Sequence, residues 1–328
     1  MFVLILLAAG LPISSDDPPR LDSALEARWR AEYPRAAAEL EAAADEFLAN
    51  GNMSFHYFDG TEQLTTNLVV AASRGRKLLV EAGMSRKSPA GLNLPATDRV
   101  ACQSGDRYFE LEKSPTTKNY SIARLTNSTE RAKNVYLDGM IVELSRSSFH
   151  VGALSLTEKM NQSSFMLGSI MSVRDEGREI VRLAYTTENG GKRESSVVEL
   201  VPDMNWAIRK TEALYSEGKR TTESTLWIDY QELPGRRFFP RRLESLVKTP
   251  NPQIYQRMIV EYRDVQLGSV PNDVFKLTAY GLPDIPDRPA PRRSVFTWSN
   301  PLLWLTFAAA VACFTILWRM RSRSAAAI

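Results

Sequence analysis

From Gly51 to about Pro283 the sequence repeats one texture: short runs of alternating apolar and polar residues, broken by turn pairs in FDGTE, QSGDR, ENGGK, SEGKR and LPGRR. A period of two sends successive side chains to opposite faces of a strand, and Gly- or Asp-containing pairs reverse the chain within a few residues. Val181, Leu183 and Tyr185 alternate with polar neighbours such as Arg182. Trp206 and Ile208 do so beside Arg209, and Leu226, Ile228 and Tyr230 beside Asp229. Such strands have one buried and one wet face, so the pattern predicts hairpins in series forming an antiparallel sheet.

Two intervals depart from this texture. Leu21–Asn50 is rich in Ala, Glu and Arg, and Leu40, Ala43, Ala44, Phe47 and Leu48 recur at helical spacing. Proline removes a helical donor, so Pro34 is expected to divide this segment into two helices, with Gly51 capping the second. Between Ser147 and Val173 the residues Met160, Phe165, Met166, Ile170 and Met171 stand among few β-branched neighbours. That predicts one or two short helices or a lid loop. Methionine adapts to irregular or exchangeable partners, which makes these five the candidate lining or gate of a ligand cavity; plain core packing is the competing account.

The chain ends read as targeting segments. No charge occurs from Ser294 to Trp318, roughly 25 residues against the ~20 that cross a bilayer. Trp298, Trp304 and Trp318 suit interfacial belts, and Arg319, Arg321 and Arg323 follow. MFVLILLAAGLPISS has the apolar core and small residues of a secretory signal peptide, without a basic n-region. Its LLAAG resembles a lipoprotein attachment box, but Leu11 stands where the acylated cysteine would be. The expected organisation is a signal peptide over 1–16, an N-terminal helical segment over 17–50 and an ectodomain over 51–284. A Pro/Arg-rich linker over 285–297, a membrane span over 298–318 and a cytoplasmic tail over 319–328 follow. This places the bulk of the chain on the extracytoplasmic, periplasmic side of the cell membrane.

Composition excludes several function classes. The 41 basic and 38 acidic side chains give a net charge of +3, too balanced to predict nucleic-acid binding. Of the two cysteines, Cys313 lies in the expected span and Cys102 in the ectodomain, so no disulfide joins them. His56 and His150 are the only histidines, and no Cys/His pair has metal-ligand spacing. The sequence has no G-x-S-x-G elbow, phosphate-binding loop or dinucleotide fingerprint. No cofactor is expected and no enzyme activity is predicted; a hydrolase using His56 or His150 as base is the remote alternative.

Four segments carry a family resemblance: RVACQSGDRYFELEK (Arg99–Lys113), VELVPDMNWAIRK (Val198–Lys210), WIDYQELPGRRFFPRRLES (Trp227–Ser245) and VEYRDVQLGSVPNDVFKLTAYGLP (Val260–Pro283). Their serial-strand pattern resembles the LolA/LolB/RseB-like half-barrel superfamily, especially its membrane-anchored, planctomycete-type members. The resemblance implies an α+β, mainly antiparallel fold: a curved half-barrel sheet with helices on its concave side, here joined to a C-terminal transmembrane helix. It also implies an apolar cavity for acyl chains or another hydrophobic partner. The expected function is a membrane-tethered module for a lipid or lipoprotein acyl chain. The alternative is an RseB-like sensor domain that binds another membrane protein.

Overall fold

The structure, a computed structural model, describes residues 21–57, 62–87, 93–104, 107–114, 116–127, 140, 142–218, 220–249, 255–268 and 270–283. The expected signal peptide, membrane span and tail, and the linker, lie outside these residues. Among the described residues no helix is long and apolar enough to cross a membrane.

The first element is the helix α1 (Ser23–Asp45). Asp22 caps it, its carboxylate accepting from the backbone N–H groups of Ala24 and Leu25 at 3.1 and 3.0 Å. Pro34 does not divide it: the helix runs unbroken to Asp45. An interior proline costs about 3 kcal/mol. Leu25, Trp29, Tyr33, Ala36, Ala37, Leu40 and Ala44 nevertheless form one buried stripe in phase across it. Burying Tyr33 just before it and Leu40 beyond it contributes roughly 2 kcal/mol each, enough to hold the two turns in line. Nor does Gly51 cap a helix. Phe47 and Leu48 already belong to the strand β1 (Glu46–Tyr57), and Gly51 lies in its interior.

β1 opens an antiparallel meander through β2 (Glu62–Ser73), β3 (Arg76–Lys87), β4 (Asn93–Ser104), β5 (Arg107–Lys113) and β6 (Tyr120–Asn127). A covering insert follows: a π-helical turn at Val142–Arg146, the two-residue strands β7 (His150–Val151) and β8 (Leu154–Ser155), and the short helix α2 (Leu156–Met160). A second meander comprises β9 (Met166–Asp175), β10 (Arg178–Asn189), β11 (Lys192–Val201), β12 (Ala207–Glu217), β13 (Arg220–Leu233), β14 (Arg237–Lys248) and β15 (Tyr255–Leu267). All five turn pairs fall between consecutive strands. At Gly190 and Gly191 both φ values are positive, 58° and 79°, the backbone that a tight right-twisted hairpin requires.

β1 pairs with both β2 and β15, which joins the meanders into one 13-stranded sheet ordered β6-β5-β4-β3-β2-β1-β15-β14-β13-β12-β11-β10-β9. The result is a large curved antiparallel sheet with few helices. α1 lies against β1, β2, β9, β12 and the insert, so its buried stripe and the insert cover one face, here called the inner face. The opposite face has its own small core. There Ala71, Leu78, Val100, Cys102, Phe109 and Leu111 meet the 3-10 turns at Asn272–Phe275 and Leu277–Tyr280, through Phe275 and Leu277. Cys102 is free and buried, with Sγ 3.7 Å from the Phe275 carbonyl, and burial pushes its thiol well above the ordinary range.

The β1–β15 register shifts between Asn50 and Gly51. A Cβ on Gly51 would lie 2.3 Å from the Glu261 carbonyl oxygen, so the bulge admits only glycine. Gly51→Ala should therefore destabilise the domain by roughly 1–3 kcal/mol, read as a lowered denaturation midpoint. An unchanged midpoint would show that the strands can separate here without loss.

Candidate functional site on the inner face

Strand register places residues from distant parts of the chain in one line on the inner face. Ile170, Leu183, Val198, Thr211, Leu226, Ser245, Met258, Phe55 and Leu64 are successive partners from β9 to β2. Ile170, Leu183 and Val198 are fully buried under α1 and the insert, whereas Leu226 and Leu64 are only half-buried. In the next line outward, half-buried Val247 and Tyr57 stand among Ser224 and Gln256. Tyr57 stacks on Phe55 with ring centroids 5.8 Å apart. The inner face thus has an apolar shelf across β13, β14, β15, β1 and β2, with a polar rim beside it.

Polar atoms interrupt the inner line on β12 and β14. The Thr211 hydroxyl is buried and has no hydrogen-bond partner. From the π-helical turn Glu143 reaches Ser245; burial pushes its carboxyl above the usual range, and the Ser245 hydroxyl bond pulls it partly back. Tyr262 donates to the Leu144 carbonyl at 2.9 Å, fixing that turn against the sheet. A line of hydrocarbon with a hydrogen-bonding point at its centre suits an elongated amphipathic ligand. It offers no assembled nucleophile.

The insert is fastened at its other end by a buried ion pair. Lys159 of α2 bonds the Glu194 carboxylate, which also accepts from Tyr185 at 3.0 Å and Ser196 at 2.8 Å. Ser155 and Glu158 form a reciprocal capping box that starts α2 and so aims Lys159 at the sheet. Desolvating both charges consumes most of what their attraction returns, so the pair's main effect is to specify one seat for α2.

The five candidate lining residues do not share one face. Met160 and Phe165 pack on the inner core, Phe165 with its ring 5.2 Å from Tyr185, and Ile170 lies within the inner line. Met166 and Met171 belong to β9 rather than to a lid, opposite Thr186 and Arg182, residues of the reverse face. Met166 is 59% exposed. The bulge between Ala184 and Tyr185 falls between these positions. Sequence spacing could not reveal the shelf, because its members are brought together only by pairing between strands far apart in the chain.

The histidines are likewise separate: His56 faces Arg257 and Gln63 on the reverse face, while His150 lies in the insert over the inner face. Among the described residues no group of three or more His, Cys, Asp or Glu is placed to hold a metal ion. His150 is buried with Nδ1 unpartnered. Burial, with Arg146 and Lys159 nearby, lowers its pKa to about 4, and Glu158 opposes this. The unfolded chain therefore binds the extra proton between about pH 6.5 and 4. The His150 contribution to stability is complete above the unfolded value and is lost as pH falls through that window. It amounts to at most roughly 3 kcal/mol. Thermal melts at pH 7 and pH 4.5 should show a smaller acid-induced drop for His150→Gln than for the parent; equal drops would assign the acid sensitivity elsewhere.

No protein-family model and no curated protein matches the sequence. Among solved structures, similarity is found to a domain described as an outer membrane lipoprotein-sorting protein from Vibrio parahaemolyticus. The TM-score is 0.40 and the identity 13%, over 75% of this chain and 97% of that one. MucB is similar with a TM-score of 0.18 and 11% identity over 71% and 93% of the two chains. The MucA/MucB complex of Pseudomonas aeruginosa gives 0.17 and 9% over 72% and 100%.

Proposed function

We propose that the chain is an extracytoplasmic binding module for an apolar ligand, a lipid or a lipoprotein acyl chain, tethered beside the membrane from which the ligand comes. The observation that carries this reading is the apolar shelf in which half-buried Leu226 and Leu64 stand in line with buried Met258 and Phe55, beside half-buried Val247 and Tyr57. Burying an acyl chain there removes about 0.8 kcal/mol per methylene from water. Glu143 and Ser245 offer a hydrogen-bonding point to a carboxyl or ester at mid-shelf. Met160, Phe165 and Ile170 border the same face at the insert, and the adaptable Met160 would accommodate an entering chain. Tethering rests on the uncharged run before Arg319 and on the apolar N-terminus.

The test is binding of a fluorescent fatty-acyl probe to the full-length chain, alongside mass spectrometry of lipid retained after gentle purification. Saturable binding is expected, weakened about tenfold or more by Leu226→Arg and Leu64→Arg with circular dichroism unchanged. Absence of both retained lipid and probe affinity would sink the proposal.

A second reading, a sensor domain for another membrane protein's outer segment, draws on β6. Among the described residues this strand ends the sheet, and Ile122 and Leu125 are 44% and 43% exposed. A photo-crosslinker at Leu125 in intact membranes should capture one stoichiometric protein partner if this reading holds, and lipid or nothing if it does not.

A further inference from the structure

The reverse face, on the side of the sheet opposite the shelf's side chains, carries a trough of about 400 Å3 across β14, β15, β1, β2 and β3. Register lines up Arg242, Glu261, Asn52 and Asn67 as successive partners, with Ile259 and Thr65 in the neighbouring line. The trough lies where register shifts fall side by side: Asn50/Gly51 between β1 and β15, Thr65/Asn67 between β2 and β3, and Glu81/Met84 between β3 and β4. Each bulge adds a residue and bends its strand, and bulges on successive strands hollow the surface. Gly83 lines the far wall, where its φ of 64° favours glycine.

The lining groups have a specific chemistry. With its amide nitrogen turned toward acceptors, Asn52 donates to Asn67 Oδ1 at 3.1 Å and accepts from Arg263 at 2.6 Å. The Thr65 and Ser85 hydroxyls bond at 2.8 Å, and Arg242 stands 3.8 Å from Glu261. Donors and acceptors are therefore both abundant and their charges are balanced. A phosphate or nucleic acid would meet the carboxylates of Glu261 and Glu244, and an acyl chain would find Ile259 as the main aliphatic surface. Beyond the trough's lining, on the next strand β13, Trp227 stands opposite Glu244, one line from Arg242. Its indole is 38% exposed, with Lys210 Nζ 6.0 Å from the ring. An exposed indole on a flat strand surface presents an apolar plane bordered by polar groups.

We infer that this trough binds a neutral oligosaccharide, one pyranose ring lying on Trp227 and the adjoining hydroxyls bonding Arg242, Glu261, Asn52 and Asn67. The volume lies at the low end of small-molecule sites, appropriate to one or two sugar rings.

The test is isothermal titration of the full-length chain, in a detergent without a sugar headgroup, with chitotetraose, cellotetraose and maltotetraose. At least one should bind saturably in the millimolar range or tighter. Trp227→Ala and Asn52→Ala should each weaken that binding about tenfold or more, and Trp227→Phe, which keeps a ring, by less. Melting midpoints of all three variants should match the parent's, and Trp227→Phe remains informative if either alanine variant is unstable. Failure of all three sugars to bind, or binding indifferent to Trp227 and Asn52, would overturn the inference. Neither outcome depends on whether the inner face takes an acyl chain.

Discussion

The pairing of β1 with β15 is the interaction on which the rest of this domain depends. Two meanders, each built from local hairpins, are joined strand to strand there among the described residues, along a ladder from Phe47/Leu267 to Tyr57/Gln256. Without it each half would expose a long edge and an apolar inner surface with no continuation. The inner line from Ile170 to Leu64 crosses this seam between Met258 and Phe55, so the shelf exists only after the seam has closed. Bringing together segments separated by nearly the whole domain is entropically unfavourable, and this pairing is expected to complete the fold rather than to start it.

The two faces solve different problems with the same strands. On the inner face, alternating apolar residues need a cover, and α1 and the insert supply it over the β9–β12 half and part of β1 and β2. The buried Lys159–Glu194 pair gives the insert a defined seat where a wholly apolar contact would tolerate sliding. On the reverse face, Arg182 with Glu199, and Arg257 with Glu244, form partly solvated cross-strand pairs. Each adds little stability, but together they keep a broad sheet surface from presenting bare hydrocarbon. The trough interrupts that surface where bulges replace regular pleat.

Much of the architecture was legible from residue order. Turn pairs at Gly190–Gly191 and Pro234–Gly235 mark hairpins because only a few residue types tolerate the backbone a tight reversal needs. Pro34 misled because a single local penalty was weighed without the stripe from Leu25 to Ala44, whose phase is unbroken across it. Gly51 misled in a different way: glycine marks both helix ends and close backbone approaches, and only the neighbouring strand β15 distinguishes them. The methionine-rich segment concealed the strand β9, since Met166, Leu167 and Met171 lack the β-branched signature yet pair with β10 on both sides of one bulge.

Sequence by itself determined the turn pairs, the serial hairpins they join and which side chains of a regular strand share a face, because alternation and turn chemistry act within a few residues. It also marked the two apolar ends of the chain, whose length and flanking arginines are readable without neighbours. Tertiary structure alone decided which strands become partners, and hence that Leu226, Met258, Phe55 and Leu64 form a shelf while Trp227, Arg242 and Asn52 border a trough. The reason is register. A slip of one residue would exchange the faces of every side chain on a strand, and that choice is made by packing across the whole sheet.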